Sequence, residues 1–307
     1  MTLLQFVQRG KTIADSPRLD ETALGTETDR AMTTAMWVDW INDAKNFAQN
    51  KIIELFEDFL VETTDITITS GTETYTLPAN TLKIRLIERE GVASTETDRE
   101  LFPISMTDKF RYSNANGYFS YLNSSEFYYI WGNTIGIKPE PNTAGTRKIW
   151  YIKKLPDLSY GTAAAAASTT ITLAATPSLG TTSNVDDYYN GSSVYIVSAS
   201  TGAGQTVKIT DYVGSTRVAT VETFGTTPTG TIVYDIVCEI PESHHKFLVL
   251  DAALNACLRD DEAGRYEKIE KEREKHLDNM TKALTQRQIQ KAEYVDDGTD
   301  GLTQWYM

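Results

Sequence analysis

The sequence predicts an α+β fold: a core of long helices, an antiparallel β region, and an inserted small all-β barrel or sandwich domain. Three observations lead there. Residues 33–60 carry apolar side chains at helical spacing, residues 62–155 hold short alternating runs, and after LPDLSYG the composition shifts abruptly to TAAAAASTTITLAATPSLGTTS, marking a boundary near residue 157.

Taken in order, MTLLQFVQRGKTIADS has a short apolar run that no basic residue precedes, and no apolar span of ~18 residues occurs anywhere. Neither an export signal nor a membrane helix is therefore expected, and a protein made and kept in a cytoplasm is. In residues 33–60, Trp37, Trp40, Ile41, Ala44, Ala48, Ile52, Leu55 and Phe59 fall on one stripe, with Asp39, Asn42, Asp43, Lys45 and Asn46 away from it. One long amphipathic helix is expected. DITITSGTETYTLP alternates, turns at Ser70-Gly71 and alternates again, which predicts a hairpin over 65–78. Further strands are expected at 82–88, 99–104, 118–121, 127–137 and 147–154.

Within that series YYIWGNTIGIKPEP at 128–141 brackets a Gly-Asn step suited to a two-residue turn, and Pro139 and Pro141 cannot extend a ladder. From 168 to 238 five short strands separated by Gly, Pro, Asn and Thr turns predict the β module. A second long helix follows over 242–285, with Phe247, Leu250, Leu254, Cys257 and Leu258 on its stripe, thinning through Tyr266, Ile269, Leu277, Met280 and Leu284. The expected organisation is a discontinuous core from 1–160 and 239–285, an insertion at 161–238, and an extended tail at 286–307.

The chain has 307 residues, 40% of them hydrophobic, enough to bury its own core. Its formal net charge of −13 argues against a surface that grips nucleic acid, because phosphate binding requires clustered cations. Cys238 and Cys257 lack the spacing of a metal site or redox pair and are expected as free buried thiols. His244 and His245 are adjacent and His276 lies far along the same helix, so they do not converge on a metal. STGAGQTVK at 200–208 lacks the ending of a phosphate loop and links two strands. Asp296, Asp300 and Gly301 imitate the start of a calcium loop, but Met307 stands where the bidentate Glu is needed. No catalytic, cofactor or metal residues are expected. Trp131 and Trp150 could stack sugars or bases, although their strand-period spacing also suits packing within a small sheet.

The series W.DWINDA, TYTLP, Leu-Phe-Pro-Ile, YYIWGNTIGIKPEP, RKIWYIKKLPDL and PESHHKFLVLDAALNACLRDDE resembles the head-to-tail adaptor proteins of tailed bacteriophages, over about residues 30–160 and 239–285. The resemblance implies a structural, non-enzymatic virion neck protein: a homo-oligomeric, dodecameric ring under the portal that extends the DNA channel and offers a platform to a tail or nozzle protein. It implies a β tip at Tyr129, Trp131 and Asn133 that meets the tail. Leu302, Trp305 and Tyr306, beyond a charged helix and a Gly-Asp spacer, are expected to bind the portal or a neighbouring subunit. The insertion at 161–238 exceeds the family's minimal pattern and is a candidate contact for a fibre protein. A tail or baseplate subunit with a host-binding module, and a carbohydrate-binding or carbohydrate-cleaving protein, are the alternatives.

Overall fold

The structure, a computed structural model, describes residues 1–14, 32–89, 99–112, 126–259 and 263–288. Its helices are α1 (Leu3–Ile13), α2 (Thr34–Leu55), α3 (His245–Arg259) and α4 (Ala263–Gln288). Helix α1 escaped the sequence reading although its signal is local. Thr2 and Gln5 form a capping box, the Thr2 hydroxyl accepting from the Gln5 N–H at 3.3 Å while the Gln5 side chain accepts from the Thr2 N–H at 3.0 Å. Helix α2 starts on a Thr33 cap and gives way to a 3₁₀ turn at Glu57–Leu60, so it is shorter than its expected range.

The strands are β1 (Val61–Ile68), β2 (Thr74–Thr76), β3 (Thr81–Arg89), β4 (Arg99–Glu100), β5 (Phe102–Pro103), β6 (Phe127–Trp131), β7 (Thr134–Lys138), β8 (Gly145–Lys153), β9 (Tyr160–Thr162), β10 (Ala165–Ala166), β11 (Thr170–Thr172), β12 (Ser193–Ser198), β13 (Thr206–Val213), β14 (Val218–Val221) and β15 (Val233–Ile236). They form three sheets, ordered β1-β8-β3-β4, β2-β7-β6-β5 and β10-β11-β14-β13-β12-β15-β9. The strand expected at 118–121 lies outside the described residues.

The expectation of a long-helix core is corrected. Fifteen strands in three sheets, against four helices, make this a mainly β architecture among the described residues. The helix foreseen over 242–285 is two helices lying side by side, with Lys246 and Asp251 of α3 paired to Glu272 and Arg273 of α4. Apolar burial is divided among three clusters. One joins α1, α2, α3 and α4 with the segment 152–160, and the other two are built mainly by strands. A stripe such as Ile269, Met280 and Leu284 reports that one helix face is covered, not how much of the whole molecule is helical.

Two further corrections concern the sheets. The predicted 65–78 hairpin does not form, because β1 pairs with β8 and β2 pairs with β7 in different sheets. The intervening turn is held elsewhere: the Gly71 N–H donates to Pro141 O at 2.8 Å and the Ser70 hydroxyl to Asn142 O at 2.8 Å. The region is also not wholly antiparallel, since β5 runs parallel to β6.

The seven-stranded sheet has two ends in its hydrogen-bonding order, β10 and β9, so among the described residues its ladder does not close into a complete barrel. Register shifts at Ile196/Ser198 and Ile209/Asp211 bend its central strands, as bulges do, around Tyr189, Tyr212 and Tyr234. The segment resembling a phosphate loop is the turn between β12 and β13. Cys238 and Cys257 are both buried, and burial pushes the Cys238 thiol up to about 11. No helix among the described residues is long and apolar enough to cross a membrane.

Candidate interaction surface

The aromatic surface grows from the β6–β7 hairpin. Trp131 pairs with Thr134 across Gly132 and Asn133, and Gly132 takes φ +56°, a left-handed conformation that costs a glycine little. The Asn133 carbonyl accepts from the Leu77 N–H at 3.0 Å, so the turn is anchored to the end of β2. Successive strand residues face opposite sides. Tyr128 therefore joins the cluster of Ile68, Ile135 and Ile137, while Phe127, Tyr129 and Trp131 line the other face.

That outer face is extended by neighbours. Phe102 stands opposite Phe127 with ring centroids 6.4 Å apart, and Tyr112 lies 4.5 Å from the same ring. The Lys109 ammonium sits 5.4 Å from the Tyr129 ring and 5.2 Å from Phe110. Trp131 is 61% exposed and Phe110 77%, whereas Tyr129 is only 2% exposed. Large aromatic area in water, set on a sheet whose other face is core, is the pattern of a surface made to be covered.

The surface is held rigidly from beneath. The Tyr129 hydroxyl donates to Glu73, and Lys138 pairs with the same carboxylate at 2.7 Å. Burial raises the Tyr129 hydroxyl, with the Glu73 bond adding to it, to about 12. Burial also works to raise the Glu73 carboxyl, but hydrogen bonds from Lys138 and Tyr129 and the nearby ammonium charges bring it below its ordinary value. Glu126, just before β6, receives a two-pronged bond from Arg147 of β8 at 2.7 and 2.6 Å and a third from Arg89 of β3 at 3.2 Å. These bonds fix the tip sheet to its neighbour.

The Tyr129 ring lies over Gly136, where an added Cβ would come within 2.1 Å of the ring. Gly136→Val should therefore displace Tyr129 from Glu73 and lower stability by about 1–3 kcal/mol, the ordinary cost of overpacking. Denaturant unfolding checks this, and an unchanged midpoint would mean that the ring is not packed as described.

Of the residues singled out from sequence, Tyr129, Trp131 and Asn133 come together in this hairpin, with Trp131 projecting, Tyr129 supporting and Asn133 closing the turn. Sequence reasoning missed Phe102 and Phe110, which reach the same face only through the parallel β5 pairing and the turn after it. Leu302, Trp305, Tyr306 and the calcium-like loop lie outside the described residues. His245 is buried, with Nε2 2.8 Å from Ile240 O and its ring edge-on to Phe6. No group of His, Cys, Asp and Glu among the described residues is arranged to hold a metal. Trp150 instead lies on β8, where its indole donates to Glu88 at 3.0 Å.

Comparison with known proteins turns the surface into a family assignment. No curated protein matches the chain. The family model described as SU10 adaptor protein matches residues 1–197, which include α1, α2, the tip sheet and the start of the seven-stranded sheet. With more than half of its length matched, the chain belongs to the SU10 adaptor protein family, a phage head-to-tail adaptor family, and is a virion-associated structural protein.

Proposed function

We propose that this adaptor is a non-enzymatic subunit of a dodecameric ring in the virion neck, assembled in the host cytoplasm, with the portal above and a tail or nozzle protein below. The observation that carries this reading is the braced aromatic tip, whose exposed Trp131, Phe102 and Phe110 stand on bonds to Glu73 and Glu126. Residues 1–160 and 239–285 act as one ring-forming unit, and 161–238 is a module that meets a further component such as a fibre. Leu302, Trp305 and Tyr306 attach to the portal or a sister subunit. The net charge of −13 supports a channel wall along which DNA slides without specific binding.

Burying one tryptophan at ~150–250 Å² contributes up to about 4–6 kcal/mol before ordering costs, and a ring presents that contact many times over. Purified chain mixed with portal protein should give a ring-sized assembly by mass measurement and imaging. Trp131→Glu should leave that ring intact while tail-protein attachment falls at least about tenfold, because a charge replaces a hot-spot aromatic. Chain that stays monomeric beside the portal would falsify the ring. Undiminished attachment by Trp131→Glu would remove the tip from the tail contact.

A further inference from the structure

A groove of about 490 Å³ runs between the first sheet and the seven-stranded sheet. One wall is Glu62, Thr63, Thr64, Asp65 and Ile66 of β1. Five consecutive strand residues alternate between two faces, so they line a single groove only where it follows the strand's edge. Among the described residues that edge is open: β1 ends its sheet, pairs with β8 alone, and is eight residues long. Long edge strands are ordinarily shortened or covered, because unpaired N–H and C=O groups template a further strand.

The opposite wall supplies charge. Asp187, Glu222 and Lys208 line it, and Lys208 is already paired to Glu62 at 2.7 Å. Four lining carboxylates face one ammonium that is already engaged. A second copy of this chain, at −13, is a poor occupant on charge, and so is its own segment 292–307, which carries Glu293, Asp296, Asp297 and Asp300 and no Lys or Arg. The polar surroundings also exclude an apolar helix, since an extended strand is what satisfies an open edge.

We infer that the β1 groove takes an extended, lysine- or arginine-bearing segment of a different protein, which adds as a strand to β1 and sets its cations against Asp65, Asp187 and Glu222. The wall from Glu62 to Ile66 is about 13–14 Å long at strand rise, alongside which about five residues of the guest can pair. Backbone pairing fixes the guest's register, and the carboxylates select its charge. The groove's lining includes Thr76 and Leu77 at the base of the tip but none of the exposed tip aromatics, and its guest does not depend on ring formation.

The probe is a capped nine-residue peptide alternating Lys and Val, titrated at low salt against the full chain with hydrogen exchange read at β1. Saturable binding that protects amides within 61–68 and weakens with salt is the expected result. Replacing the lysines by Glu, or alternate valines by Pro, should weaken binding at least about tenfold, because the first reverses the charge match and the second removes ladder donors. Asp65→Lys with Glu222→Lys should do the same while the melting temperature holds. Absent protection of β1, or equal binding of the Pro peptide, overturns strand addition. A peptide-free dimer formed through β1 overturns the assignment to a different protein.

Discussion

Lys45→Ala should destabilise the chain by about 2–5 kcal/mol, because it leaves the buried stem's volume empty and strands two carbonyls. Lys45 is 0% exposed, and its ammonium donates to Pro156 O at 2.5 Å and to Leu155 O and Asp157 Oδ1 at 3.3 Å. Burial lowers its pKa, with Asp157 pulling the other way. Asn42 and Gln49 extend the same grip: Asn42 accepts from the Leu158 N–H at 2.9 Å, while Gln49 donates to Lys153 O at 2.8 Å and accepts from the Leu155 N–H at 3.2 Å. Positions 42, 45 and 49 share one face of α2 by helical spacing. Together they hold the segment that connects β8 to β9, hence the seven-stranded sheet, against the helices. Lys45→Met keeps the stem but strands the two carbonyls, and should cost about 1–3 kcal/mol. Unfolding in urea, with exchange at 153–158, separates the two variants. A Met variant as stable as the parent would show that the ammonium is not what holds the segment.

The second large effect is a pH dependence centred on Asp235. This β15 carboxyl is 2% exposed and accepts the Leu3 N–H of α1 at 2.9 Å. Burial raises it to about 7, against the smaller lowering by the Leu3 bond. Because the folded value lies above the unfolded one, its stabilising contribution is complete below about pH 4, declines as pH rises, and is gone once pH passes about 7. Three units correspond to about 4 kcal/mol. Asp235→Asn keeps the acceptor and cannot ionise. Its stability relative to the parent should therefore climb by about 2–4 kcal/mol between pH 4 and pH 8. Groups such as Glu73, lowered on folding, lose their contribution as pH falls and cancel in the difference between the two proteins. Parallel stability curves would remove Asp235 from the pH response.

What was legible in the sequence was what repeats locally. Trp37, Ile41, Ala44, Ala48 and Ile52 are each fully buried along α2, as the 3.6-residue period requires, and the β6–β7 hairpin follows from alternation around Gly132-Asn133. The capping box at Thr2 was equally local and went unread. The pairing of β1 with β8, the parallel β5 and the division of the last helical region into α3 and α4 depend on partners distant in the chain. Their local patterns are compatible with other pairings as well.

Lys45 shows the limit most sharply. Its residue type reads as a solvated lysine, yet it stands four residues after Ile41 and three before Ala48 on the buried side of α2, and three oxygens from residues more than a hundred positions away desolvate and hold it. The aromatic tip divides in the same way. Tyr129, Trp131 and Asn133 were readable because one hairpin carries them, whereas Phe102 and Phe110 join that face through tertiary packing. Period and turn chemistry determine which side of an element is covered, because they act within a few residues. Which chain covers it, and which edge is left open, is decided only when distant segments meet, since burial is non-directional and backbone hydrogen bonds accept any strand in register.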